Sequence, residues 1–466
     1  MTAPVGFGLA RVTVAAPKRR IDVALPDNAL VGELLPHLLR HAGEDLADEG
    51  EAHGGWQLRR ATGTPLEPHR NLTVQGVRDG ELLELVPTRV DWPELAYDDV
   101  VEVIASGARR AGRSWGNQAT RRCALAVTAG ILALGLVEVL LSGPPWAAPA
   151  GVALGVALVL AILGIVLSRA FADGVAGGVV AAAGLPYAFL GGALVSAPPG
   201  RPAPGAPELL LGFTALLVLS VVGYAGVGAA QRLFMAGLLV ALAGLLGAAL
   251  RLAGVSTVGS AAVMLTVVLA LLPGYPLIAG WLGRLPVPEL PDRPEAILQD
   301  RPVPKRAGVF AAVARATELL TGMLLAAAIV SVATTVILVG SGNVAAELLS
   351  FAGAAALLLR GRLFPAPAQR VPLLVAGAFG LALLLFGLAV RQHNAGVRLL
   401  LLVAILVVAA LVLIAGLVYS RRTPSPHIGR LADIADVLAI MALLPFACGV
   451  VGVYHAIQGL FASFGG

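Results

Sequence analysis

The rhythm of apolar and polar positions changes once along the chain. Up to about residue 88 the apolar runs are short and alternating, and beyond residue 122 they lengthen to about 20 residues each. In the first part, LARVTVAA (9–16) and RIDVALP (20–26) alternate with a period of two around a Pro-Lys-Arg turn near 17–19, which predicts a hairpin of half-buried strands. Asp27 and Asn28 then offer a helix cap, and ALVGELLPHLLRHAG (29–43) sets Leu30, Leu34, Leu35, Leu38 and Leu39 on one stripe. Pro36 inside that run is expected to kink the helix or to mark its end. GGWQLRRA (54–61) reads as a third strand and PLEPHRNLTV (65–74) as a loop with a short strand. Arg78-Asp79-Gly80 reads as a tight turn, and ELLELVP (81–87) as the last strand, with Leu83 and Leu85 inward and Glu84 outward.

Hairpin, helix, strand, loop, strand is the order of a ubiquitin-like β-grasp fold, and about 80 residues suffice for one such core. No free Gly-Gly tail follows Pro87, so residues 1–88 are expected to form a fixed domain rather than a conjugated modifier. Residues 89–122 then form a linker that begins acidic and ends basic, with a helix expected near 96–110. Arg109, Arg110, Arg113, Arg121 and Arg122 stand just before the first long apolar run. Such a cluster suits the anionic headgroups of a cytoplasmic leaflet, at about 1 kcal/mol per basic residue.

A spanning helix needs about 20 apolar residues. Eleven such segments are predicted within 123–466: 124–142, 147–168, 174–196, 208–229, 233–252, 255–280, 317–340, 344–360, 371–390, 398–419 and 434–458. PGYP (273–276) is expected to break or end the sixth, and Pro445 to kink the eleventh. Basic residues orient them. With the N-terminus inside, the cytoplasmic connections hold Arg169, Arg232, a loop at 283–315, Arg360, Arg362, Arg370, Arg421, Arg422 and Arg430. The opposite side holds Arg201, Arg251, Arg391 and Arg398, and an odd count puts the C-terminus there. Residues 1–20 hold no apolar core of signal-peptide length, which agrees with a cytoplasmic N-terminal domain.

Composition bears this out. The chain has 466 residues, 58% of them hydrophobic and 13% charged, where a globular protein carries about 25% charged residues. The mean hydropathy of +0.85 is that of a polytopic membrane protein. A net charge of +5 then speaks of basic membrane-facing loops and not of nucleic-acid binding. Cys123 and Cys448 cannot build a disulfide framework or a metal site. The proline-rich stretch 283–308 reads either as a solvated tether or as an extended docking segment for a cytoplasmic partner.

Motifs of catalysis are missing from the sequence. There is no GxxxxGK[ST], HExxH, CxxC or GxSxG, so no enzymatic activity and no cofactor is expected. GVGAA and LGGAL read as close helix packing. Ionisable residues at membrane depth are few: Glu138, Glu318, Glu347, Asp433, Asp436 and His455, nearly all near an interface. Glu138 is the deepest and is the candidate for an interhelical polar contact. Span centres nearly free of charge argue against proton- or sodium-coupled transport. His37, His41, His53 and His69 have no metal-site spacing and read as surface residues.

RVTVAAPKRRIDVALPDNALVGELLPHLL and GVRDGELLELVP, followed by the linker and the eleven spans, resemble EccD, the multi-spanning subunit of the actinobacterial type VII (ESX) secretion machinery. The resemblance covers essentially the whole chain. It implies a structural inner-membrane subunit that dimerises around a wide, lipid-filled chamber and assembles with EccB, EccC and EccE components. The ATPase work would belong to EccC, and the ubiquitin-like domain would dock on EccC and EccE. WXG100 or PE/PPE-type proteins would be the exported substrates, partners of the chain only indirectly. The family has no catalytic residues to carry over. The rival reading is a major-facilitator-like transporter of a small solute: FADGVAGG (171–178) faintly resembles that family's GxLaDrxGrk motif but lacks the basic residues after the aspartate. A third is a regulatory membrane anchor that binds through the N-terminal domain alone.

Overall fold

A computed structural model describes residues 8–17, 19–43, 55–88, 115–198, 204–286, 306–419, 425–454 and 456–458. The chain divides into two compact units, 1–114 and 115–466.

In the first unit four strands form one sheet: β1 (Leu9–Ala15), β2 (Arg20–Pro26), β3 (Trp56–Arg60) and β4 (Leu82–Pro87), in the order β2-β1-β4-β3. The hairpin pairs Val12 with Val23, β1 and β4 run parallel with Val14 beside Leu83, and β3 pairs antiparallel with β4 through Leu58 and Leu85. This central parallel pair, flanked by antiparallel strands and covered by one helix, is the β-grasp arrangement. Alternation decides the faces. Val12, Val14, Leu58, Leu83 and Leu85 are buried, while Glu84 turns outward to Arg59 at 2.6 Å.

The helix α1 (Val31–Ala42) differs from expectation in three respects. Its N-cap is Leu30, without a side-chain cap, so neither Asp27 nor Asn28 starts it. Its buried stripe is Val31, Leu34, Leu38 and Ala42, and Leu30 is exposed. Pro36 lies inside the helix, which continues to Ala42; packing of this stripe on the sheet outweighs the lost backbone bond. Residues 65–74 form no strand, only isolated bridges at Pro65 and Asn71. Leu66 and Leu72 anchor that loop in the core instead. The Gln75 side chain ties it together by accepting from the Glu67 N–H and donating to the Glu67 and Arg70 carbonyls.

The turn before β4 is built into β1. Gly80 takes a φ of +80°, a conformation that favours glycine. Glu81 N–H donates to the Arg78 carbonyl at 3.1 Å, and the Arg78 N–H donates to the Glu81 carboxylate at 2.9 Å. Gly80 N–H donates to the Arg11 carbonyl, and the Arg11 N–H donates to the Asp79 carboxylate at 2.7 Å.

The second unit is helical. Its elements are α2 (Asn117–Leu141), α3 (Ala147–Arg169), α4 (Gly174–Leu194), α5 (Ala206–Gly226), α6 (Gln231–Leu252) and α7 (Thr257–Ala270). A 3-10 turn at Leu272–Gly274 leads into α8 (Tyr275–Leu282). Then come α9 (Arg306–Gly340), α10 (Val344–Gly361), α11 (Pro367–Arg391), α12 (Ala395–Tyr419) and α13 (Pro426–Val451). Taking 257–282 as one span, eleven helices among the described residues are long and apolar enough to cross a membrane. The interruption inside 257–282 falls at Pro273 and Gly274, where proline removes a backbone donor.

Three helices start well before the apolar runs predict, by seven residues or more. α2 begins at Asn117, so Arg121 and Arg122 belong to the helix and not to a linker ending at 122. α9 begins at Arg306, so 306–315 is helix rather than loop. α13 begins at Pro426. Hydropathy registers only where a helix enters lipid; backbone hydrogen bonding and Ala-rich propensity, as in RAGVFAAVARA, carry it further.

Small residues set the packing. The Gly177 Cα faces the Gly164 carbonyl so closely that an added Cβ would stand 2.4 Å from it. Gly192 of LGGAL likewise leaves 2.8 Å to the Leu211 carbonyl. GVGAA, by contrast, is not a packing motif within a helix: after Gly226 it forms the α5–α6 connection, where Gly228 N–H donates to Ser168 Oγ at 3.0 Å and Ala230 takes a φ of +57°. α9 is the most buried span, and it carries buried Thr321, Ser331, Thr334 and Thr335. α12 packs only lightly, against α11, and none of its described side chains is buried.

Candidate functional site

A charge inside a membrane bundle has to be neutralised or led to water. In the second unit four of the carboxylates named from the sequence, Glu318, Glu347, Asp433 and Asp436, meet arginines at helix ends. Asp436 of α13 pairs with Arg360 of α10 at 3.0 Å, and both side chains are largely buried. Asp433 accepts from Arg362, which also donates to the Gly429 carbonyl. At the other end of α10, Glu347 accepts from Arg391 of α11, which also donates to the Val339 carbonyl. Glu318 of α9 lies 3.8 Å from the Arg232 guanidinium and accepts from the Arg232 N–H at 3.4 Å. These are clamps between helices, where the sequence showed only residues near an interface. Sequence separations of 44 to 86 residues hid them.

Asp173 holds two elements at once. Its carboxylate caps α4 by accepting from the Ala176 N–H at 3.0 Å, and it accepts from Arg121 of α2. The Ala176 N–H holds the Asp173 carboxyl below its ordinary value of 3.8, and the Arg121 guanidinium adds to this against the opposing effect of partial burial. The aspartate of FADGVAGG thus serves a helix start.

Of the other residues singled out, Arg122 is exposed on α2, and Arg109, Arg110, Arg113, the 96–110 helix, His53 and His455 lie outside the described residues. Glu138 is exposed on α2, and its carboxylate meets no partner among the described residues. Only its carbonyl is engaged, accepting from Ser142. Glu208, which the sequence reading passed over, is 5% exposed in the first turn of α5, with Oε2 unpartnered among the described residues. Its place beside Pro207 and before a leucine run gave it the look of an exposed helix start. No group of three or more His, Cys, Asp or Glu stands together as a metal centre among the described residues. His37 is engaged with Arg40, and His41 with the His37 carbonyl.

The arrangement is a small sheet domain and many apolar helices, with charges that pair the helix ends. The family described as the EccD-like transmembrane domain matches residues 120–460. The chain belongs to the EccD family. The family described as "WXG100 protein secretion system (Wss), protein YukD" matches residues 9–85 of this EccD chain, the span of the β-grasp domain. The chain is 28% identical over 474 aligned residues to the ESX-4 secretion system protein eccD4 of Mycobacterium tuberculosis, an alignment covering 97% of this chain and 98% of that one. Among solved structures it is similar to protomer 1 of the ESX-3 core complex, with a TM-score of 0.57 and 24% identity over 96% of this chain and all of that one. It is also similar to a chain of the MycP5-free ESX-5 inner membrane complex in its State II, with a TM-score of 0.57 and 18% identity over 89% of this chain and all of that one. These structural likenesses speak for the fold: an EccD-type polytopic helical protein with an N-terminal ubiquitin-like domain.

Proposed function

We propose that this EccD-family chain is a structural inner-membrane subunit of a type VII (ESX) secretion core complex. The observation that carries the reading is the whole-chain alignment with an ESX-4 eccD4, through both the sheet domain and the spans. The chain dimerises around a lipid-filled chamber. Spans that are apolar all round, α12 above all, support this, because such faces can meet lipid on both sides of a wall. The ubiquitin-like domain docks cytoplasmic parts of EccC- and EccE-type partners, EccB completes the core, and WXG100 or PE/PPE-type proteins are its indirect cargo. The subunit is not an enzyme; ATP hydrolysis belongs to the EccC-type partner. The N-terminus faces the cytoplasm and the C-terminus the outer side, as the distribution of Arg and Lys suggests.

Gentle detergent purification tests the reading. The chain should come out in a large assembly with a multi-ATPase-domain protein. Recovery only as a monomer that binds a small solute would instead favour a transporter. Deleting residues 1–87 should abolish assembly with the EccC-type partner while the spans still insert, and unchanged assembly would remove the docking role.

A further inference from the structure

Two cavities of different chemistry share a wall residue in the helical unit. The first, about 470 Å³, has a nearly wholly apolar wall that includes Pro186, Phe189, Phe213, Met264, Leu325 and Ile329, from α4, α5, α6, α7 and α9. Pro186 and Ala333 on its rim are exposed, so it opens sideways, toward the bilayer. The second, about 480 Å³, lies where α4 and α6 begin, and its wall includes Gln231, Arg232, Arg315 and Glu318. Leu233 lines both. Along α6 the surface therefore passes from Gln231 and Arg232 to Leu233, and on to Val240, about 10 Å further at the helical rise.

The polar cavity carries a surplus of positive charge, two arginines against one glutamate. Glu318 is engaged with Arg232, whereas among the described residues the Arg315 guanidinium reaches the Gly283 carbonyl alone, at 3.5 Å. Arg169 adds a further cation beside the α5–α6 connection, donating to the Ala225 and Gly226 carbonyls.

We propose that the two cavities form one site for an anionic phospholipid, its phosphate against Arg315 and Arg232 and one acyl chain passing Leu233 into the apolar slot. A neutral solute would leave the cations unmatched, and a free phosphate would leave the slot empty. On the orientation argued above, the polar cavity opens at the cytoplasmic leaflet, where anionic lipids gather. The site lies within a single chain.

The test uses the full chain in phosphatidylcholine vesicles doped with a phosphatidylglycerol carrying a photoactivatable acyl chain. The control is phosphatidylcholine bearing the same label. The phosphatidylglycerol probe should label Phe189, Met264 and Leu325 in excess of the control. Arg315→Gln should cut that excess about fivefold, the ~1 kcal/mol of one basic contact. Ala333→Phe, on the exposed rim, should remove labelling in the slot and leave that of α12 unchanged, which also reports that the bundle is intact. Inorganic phosphate should not displace the lipid. Equal labelling by the two probes, labelling spread evenly over the spans, an undiminished excess in Arg315→Gln, or displacement by phosphate would each overturn the proposal, and the two-probe comparison on the unaltered chain decides it even where a variant fails to fold.

Discussion

Arg121 donates to the Asp173 carboxylate and so ties the start of α2 to the start of α4. The tie matters because α2 is barely buried, with Val139 its one buried side chain among the described residues. A second polar contact, Tyr187 Oη donating to the Leu132 carbonyl, holds the middle of the same helix, and Gly135 gives the ring room. Two polar contacts and a glycine thus do for α2 what a packed face does for α9.

Replacing Asp173 by Ala removes the α4 cap and the Arg121 tie together. The expected result is a lower thermal unfolding midpoint in detergent. Its folded-state pKa is depressed, so its contribution is present above the ordinary carboxylate value of 3.8 and is lost as pH falls through the lower folded value. The two proteins should therefore differ in stability at neutral pH and converge at strongly acidic pH. A difference that persists there would mean the effect is not one of charge.

Asp436→Ala leaves Arg360 buried without its carboxylate and is expected to cost about 3–5 kcal/mol. Arg360 Nε and Asp436 Oδ1 have no hydrogen-bond partner among the described residues, so the pair is imperfectly satisfied. An apolar double replacement, Arg360→Met with Asp436→Leu, should therefore recover most of the loss. A double-mutant cycle on unfolding midpoints measures the coupling, and additive effects would show that the two side chains act independently.

Gly177→Val puts a side chain into the backbone of α3, 2.4 Å from the Gly164 carbonyl at its Cβ alone. The α3–α4 contact should open, with loss of a disulfide cross-link engineered across that interface. Gly151→Ala, on a part of α3 where an added Cβ meets nothing, should leave the cross-link intact.

Leu83→Ala empties a fully buried position on β4 and should destabilise the sheet domain by about 2–5 kcal/mol. Hydrogen exchange on the full chain should quicken at β1 and β4 amides and stay unchanged in α9. Spread of the effect into α9 would show that the two units unfold as one.

Local rules sufficed for much of this protein. Alternation over 9–26 and 81–87 determined the strands and which side of Leu83, Glu84 and Leu85 faces the core, because a strand's side chains alternate by covalent geometry. Apolar length determined the eleven spans, because a bilayer accepts a backbone only when its hydrogen bonds are made within the segment. Helix starts escaped, at Asn117, Arg306 and Pro426, because the part of a helix outside lipid carries no hydropathy signal. The cap at Leu30 and the strandless loop at 65–74 escaped for another reason: packing of Val31, Leu66 and Leu72 on the sheet outweighed the local preferences of Asp27, Asn28 and Pro36. Only tertiary structure could pair Arg360 with Asp436, Arg391 with Glu347 and Arg121 with Asp173, or bring Arg315 and Leu233 into the wall of one cavity. Such partners are dozens of residues apart, and what joins them is the close approach of glycine-lined helices, a property of the bundle and not of any one segment.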